Sequence, residues 1–117
     1  MNITKLASAA AALSVTLALT ACGSADPNDE DHINGMDRAM AFALCKKNVE
    51  KQLASPDSAK WQSVTGATIE KDATGEKWGI RTHVDSDNAL GASSRTEVVC
   101  EVWPENEDTA KIDATLL

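Results

Sequence analysis

Lys77-Trp78-Gly79-Ile80-Arg81-Thr82-His83-Val84-Asp85 alternates without a break, with Trp78, Ile80, Thr82 and Val84 against Lys77, Gly79, Arg81 and His83. A period of two sends successive side chains to opposite faces of an extended chain, so this stretch predicts a strand buried on one face only. Working outward, Thr96 to Trp103 repeats the pattern. Val98, Cys100 and Val102 form one face, and Glu97, Val99, Glu101 and Trp103 the other. Ala110, Ile112, Ala114 and Leu116 predict a last strand, and Trp61 to Glu70 a weaker one, joined to the first by the turn residues Asp72-Ala73-Thr74-Gly75. One-sided strands linked by short polar loops favour an antiparallel sheet.

Such a sheet needs a cover for its apolar face. Phe42, Cys45, Val49 and Leu53 recur at spacings of three and four, with Met36 and Ala39 extending the stripe backwards and Lys46, Lys47, Glu50 and Lys51 opposite. This predicts one amphipathic helix over residues 36–54, capped by Asn34 with Asp37 three residues on. Ser55-Pro56-Asp57-Ser58 ends it, because the residue before proline avoids the α region, and can form one further helical turn. The expectation is an α+β domain over residues 34–117: an N-terminal amphipathic helix packed on a small antiparallel sheet of three to four strands.

The first 33 residues carry no such pattern. Lys5 is the single charge ahead of Leu6–Thr20, an uncharged run of 15 residues rich in Ala, Leu and Val. That length falls short of the ~20 residues a helix needs to cross a bilayer, but it suits the apolar region of an export signal. Leu19-Thr20-Ala21-Cys22 closes the run and resembles the lipobox of bacterial lipoproteins. The resemblance implies a diacylglyceryl group on the Cys22 thiol, removal of residues 1–21, and a mature protein held by lipid on the extracytoplasmic side of the bacterial cell membrane. Two acyl chains suffice for stable anchoring where one is marginal. Residues 22–33 then read as the lipidated N-terminus and a flexible acidic tether, with His32 alone in it.

Removal of Lys5 with the signal takes the formal net charge from −7 to −8. An acidic chain without a Lys/Arg cluster argues against nucleic acid as a partner. With Cys22 assigned to lipid, Cys45 and Cys100 remain as an even pair in an exported protein, which suggests a disulfide. Cys45 falls on the apolar stripe of the helix and Cys100 on the inward face of a strand, as a bridge through one core requires.

The densest polar segment, Asp85 to Arg95, joins two strong strands. Its Asp85, Asp87 and Asn88 have the oxygen chemistry of Ca²⁺ ligands, but the spacing does not match an EF-hand loop, and turn-forming is the simpler reading. His83 with Ser86, Ser93 and Ser94 lacks a nucleophile elbow, so no catalytic set is assigned. The residues suggest no metal and no cofactor. Trp78 and Trp103 are candidate contact residues, since exposed aromatics anchor interfaces. Trp103 either folds over the sheet edge beside Pro104 or belongs to a partner surface.

Val49-Glu-Lys-Gln-Leu53-Ala-Ser55-Pro56-Asp-Ser-Ala59-Lys60-Trp61, then Val84-Asp85-Ser-Asp-Asn88-Ala-Leu-Gly91-Ala92-Ser-Ser-Arg95, resembles small uncharacterised bacterial and phage- or prophage-encoded proteins. The position of Trp61 is usually Phe in them. The resemblance implies no activity and transfers no catalytic residue. It does group Asp85, Asn88, Gly91 and Arg95 as a set, either a structured turn with Arg95 pairing back to Asp85 or a binding site. The expected function is therefore a lipid-anchored, non-enzymatic interaction module of the cell envelope, acting on an envelope or phage component. The alternative is a small envelope enzyme or enzyme inhibitor using the Asp85–Arg95 loop. The variant Cys22→Ser is expected to appear in the soluble fraction of fractionated cells; its full retention in membranes would refute the lipid anchor.

Overall fold

The computed structural model describes residues 26–117; the expected export signal of residues 1–21, the expected lipid acceptor Cys22 and residues 23–25 lie outside them. Among the described residues, seven strands, one α-helix and one 3₁₀ turn follow in chain order: β1 (His32–Ile33), β2 (Met36–Asp37), α1 (Arg38–Glu50), the 3₁₀ turn Pro56–Ser58, β3 (Lys60–Trp61), β4 (Thr68–Lys71), β5 (Trp78–Asp87), β6 (Ser93–Pro104) and β7 (Ala110–Leu116). The main sheet is antiparallel and has five strands in the order β3-β5-β6-β7, with β4 sharing the β3 edge of β5. The architecture is α+β, as the alternation predicts, with five strands rather than three to four. The expected strand from Trp61 to Glu70 is broken into β3 and β4 by a turn in which Gly66 and Ala67 both donate to the Ser63 carbonyl.

The helix does not come first. Asn34 and Gly35 both adopt positive φ, 50° and 89°, the conformation that a two-residue hairpin between twisted strands demands. They join β1 to β2, where His32 pairs with Asp37 and Ile33 with Met36. Asn34 is therefore a turn residue and not a cap. Asp37 takes the capping role, its Oδ1 accepting from the Met40 amide at 2.9 Å. The helix ends at Glu50 rather than Ala54, and its last turn tightens as the Gln52 amide bonds the Val49 carbonyl. Ala41, four residues before Cys45, takes the place of Ala39 on the buried stripe with Phe42 and Val49.

The expected tether is also partly folded. Ile33 is only 2% exposed and Met36 is buried, so both belong to the core. Lys71 Nζ donates to the carbonyls of Asp29 and His32, the Gly35 amide reaches the Pro27 carbonyl at 2.8 Å, and Asn34 Nδ2 bonds the Pro104 carbonyl at 2.9 Å. His32 pairs with Asp29 at 2.8 Å. That hydrogen bond raises the imidazole above its ordinary pKa and lowers the carboxyl. The folded unit thus reaches back at least to Asp26, not Asn34.

Helix α1 lies across one face of the sheet, over β6 and β7 with β5 and β4 beyond. Trp78, Ile80, Val84, Val98, Cys100 and Val102 from the strands meet Phe42, Cys45 and Val49 there. Phe42 meets Trp61 edge to face at 6.3 Å between centroids. The polar tips buried with them are satisfied. Trp61 Nε1 donates to Glu50 at 2.9 Å, Trp78 Nε1 to the Met36 carbonyl, and Thr82 Oγ1 to Gln62. Cys45 and Cys100 are joined through the centre of this layer, their Cα atoms 6.1 Å apart. The bridge spans 55 residues, which in the chain-entropy picture corresponds to about 4 kcal/mol of stabilisation. Reduction, or Cys45→Ala with Cys100→Ala, is expected to lower unfolding free energy by about that amount in denaturant titrations. A loss below ~1 kcal/mol would show that the bridge does not restrain the unfolded chain.

Candidate functional site

The face of the sheet away from α1 has no described cover. Strand alternation and register place Glu70, Gly79, Glu101 and Asp113 in one cross-strand row, and Thr68, Arg81, Val99 and Thr115 in the next. Gly79 lies near the middle of the first row. It has an ordinary strand conformation, and a Cβ built on it would meet only the Glu70 carbonyl oxygen, at 3.7 Å. Where the neighbouring residues carry side chains, the glycine leaves a shallow depression of about 330 Å³, walled by Thr68, Glu70, Asp72, Arg81, Val99 and Glu101.

Trp103 stands next along β6 on this face, half-buried. Lys77 Nζ is 5.0 Å and Lys111 Nζ 5.1 Å from its ring centroid, a cation on each flank of the indole. Lys77 also bonds Glu101, which raises the ammonium pKa and ties the tryptophan to the rim of the depression. Trp103 therefore does face away from the helix. Trp78 does not join it. At 1% exposure it is a core residue with its indole N–H spent on the Met36 carbonyl. Its place in the same alternation as Ile80 and Val84 required this, so Trp78 is not part of any contact surface.

The remaining candidates lie at the far end of β5. Asp85 and Arg95 face each other across β5 and β6, with Nε to Oδ1 at 2.8 Å and Nη2 to Oδ2 at 3.0 Å. This two-point pair holds the Asp85 carboxyl below its ordinary value of 3.8. Asn88 does not point with them at a common ligand. Its Oδ1 accepts from the amides of Leu90 and Ala92, at 2.9 and 3.1 Å, and its amide bonds the Ala92 carbonyl. Gly91 supplies the positive φ, 82°, that closes the turn. Asp85, Asn88, Gly91 and Arg95 thus form a cross-strand clasp and a stapled turn, two adjacent devices rather than one pocket. The turn displays Leu90 at 93% exposure.

Among the described residues no group of three or more His, Cys, Asp or Glu side chains is disposed around a common point. His83 lies half-exposed on the outer face opposite Glu97, apart from Ser86 on the inner one. Glycine in the middle of an amphipathic strand was the sequence signal for the depression, since no turn there needs it. Comparison with protein-family profiles, curated proteins and solved structures finds no match. Among the described residues no helix is long and apolar enough to cross a membrane.

The Asp85–Arg95 clasp has a pH signature. A carboxyl held low in the folded state stabilises fully above 3.8 and loses that contribution as pH falls through its lowered value. In an NMR titration the Asp85 carboxyl carbon is expected to have its midpoint below 3.8, and Arg95→Ala to move it upward. An unmoved midpoint would show that Arg95 does not set it.

Proposed function

We propose that this chain is a lipid-tethered interaction module of the bacterial envelope, whose working surface is the outer face of the sheet around Gly79 and Trp103. The observation that carries the reading is Gly79 itself. Glycine within a strand costs roughly 0.5–1 kcal/mol relative to alanine, and a position that tolerates it for no internal reason marks a close approach from outside. Among the described residues, only the Glu70 carbonyl oxygen would meet a Cβ there, at an ordinary contact distance of 3.7 Å. Beside it, Trp103 offers a rigid aromatic plane of the kind that anchors protein interfaces, and the surrounding Glu70, Arg81 and Glu101 form a mixed-charge rim. The lipobox-like Leu19–Cys22 supports the anchor and the extracytoplasmic placement. The resemblance read in residues 49–61 and 84–95 to phage- and prophage-encoded proteins supports an envelope or phage component as the partner.

One observation favours the second reading, an enzyme inhibitor working through the turn after β5. A stapled turn that presents a bare Leu90 is organised in advance for insertion into an apolar pocket, with little ordering left to lose on binding. The two readings separate in crosslinking and affinity recovery from intact envelopes. Gly79→Val fills the depression with a strand-favouring side chain. It is expected to leave thermal stability unchanged or raised while cutting partner recovery at least fivefold, and Trp103→Ala to cut it similarly. Undiminished recovery by both, with loss only in Leu90→Ser, would move the function to the turn. Equal recovery by all three would overturn both surfaces.

A further inference from the structure

The two edges of the main sheet are built differently. One edge is shared by the short strands β3 and β4, interrupted between them, which is a common way to prevent edge-to-edge pairing. The other edge is β7, which runs unbroken from Ala110 to Leu116 in continuous register with β6 and contains no proline. No described strand pairs with its outer side. The amide of Leu117 bonds the Glu97 carbonyl, and the amide of Glu105 the Thr109 carbonyl. Odd-numbered residues of this stretch therefore turn their backbone groups towards β6. By alternation, the N–H and C=O groups of Ala110, Ile112, Ala114 and Leu116 point away from the sheet.

We infer that β7 is an isologous dimer edge, pairing antiparallel with β7 of a second copy about a two-fold axis at Ile112. The charges select both the occupant and the register. Lys111 and Asp113 are exposed and share the outer face of the strand. Centred on Ile112, a second copy sets Lys111 opposite the partner's Asp113 and Asp113 opposite the partner's Lys111. Centring on residue 111 or 113 instead sets like charges face to face, and centring on residue 114 leaves both charges without an opposite. The chosen register also aligns Thr109 with Thr115, and on the inner face Ala110 with Ala114 and Ile112 with Ile112, pairs that are chemically matched across strands.

The helix is compatible with this closure. Phe42 meets Trp61, and Glu50 bonds it, on the β3 side of the sheet. Helical geometry then puts Ala41, Leu44 and Asn48 on the opposite flank, above β7. Leu44 is only partly buried, as are Ile112 and Leu116 of β7. A copy related by the two-fold brings the same apolar strip alongside, so the edge closes a second layer as well as a backbone ladder. An edge contact of this size fits a reversible dimer rather than an obligate one. The inference rests on the backbone and charges of β7 and not on Gly79, two strands away on β5; the two surfaces share Lys111, which also flanks Trp103.

Sedimentation equilibrium of the full chain carrying Cys22→Ser, with the Cys45–Cys100 bridge intact, is expected to show a monomer–dimer equilibrium in the micromolar range. Lys111→Asp, which makes both cross-strand charge pairs repulsive, is expected to weaken dimerisation about tenfold. Lys111→Asp combined with Asp113→Lys restores complementarity between copies and is expected to recover the wild-type constant within about twofold. Because that swap also removes Lys111 from Trp103, recovery reports the pairing between copies and not the contact within one. A nitroxide at residue 115 is expected to give a backbone separation of about 20 Å between copies, from six residues of strand rise. A monomer at every concentration, a dimer indifferent to Lys111→Asp, or a spin separation below ~10 Å, which corresponds to a register centred nearer residue 115, would overturn the assignment.

Discussion

Cys45 lies mid-helix and Cys100 mid-strand, and the bond between them is the point at which two elements unable to stand alone become one layer pair. A helix of 13 residues is marginal in water on its own. A sheet with one apolar face needs a cover of matching length. Both cysteines are fully buried, so the covalent link runs through the packed centre, among Phe42, Val49, Val98 and Val102. The short β1–β2 hairpin adds Ile33 and Met36 at one end of that layer, and Trp61 with Phe42 and Glu50 closes the β3 side. A small domain with so few aromatics has little apolar area to spare, and a crosslink offsets what its core lacks.

Burial on one face alone sets the chemistry of the other. Trp78 and Trp103 illustrate it: Trp78 shares the inner face with Ile80 and Val84, whereas Trp103 sits one step out of phase with Val102 and is carried to the surface. There it is flanked by lysines instead of aliphatic side chains. The half-buried ring holds two cations close, which restrains the indole before any partner arrives. Gly79 gains its meaning from the same asymmetry. On the inner face it would open a cavity in the core; on the outer face it opens an approach.

Alternation was enough to read β5, β6 and β7, because each strand has one buried and one solvated face and the two periods do not blur. The 3.6-residue stripe of Phe42, Cys45 and Val49 was equally legible, as was the parity of the cysteines. Asn34-Gly35 is a strong hairpin signal, but the flanking strands are two residues each, too short to show a period, and Asn34 with Asp37 imitates a helix cap. The acidic run before it looked solvated, since its order comes from backbone carbonyls gripped by Lys71, 39 and 42 residues away in sequence. Tertiary donors of that kind leave no local trace. The division of residues 60–71 between β3 and β4 follows from a side-chain-braced turn at Ser63–Gly66, in which Gln62 Nε2 bonds the Gly66 carbonyl. Composition there indicated only a weak strand. The Asp85–Arg95 pairing was legible because strand register followed from the two flanking alternations.

The grip of Lys71 on Asp29 and His32 also bears on how this protein could be shed. On the proposed anchoring, only Gly23, Ser24 and Ala25 separate the lipidated residue from the first described turn. Endoproteases act on extended chain that can leave its own structure to enter a cleft. A longer tether would offer such a stretch at little cost. Here the backbone is ordered from Asp26 onward, so cleavage around residues 29–32 would first require the carbonyls of Asp29 and His32 to leave the Lys71 ammonium. Under the proposed anchoring, retention at the surface would then depend on the fold as well as on the lipid.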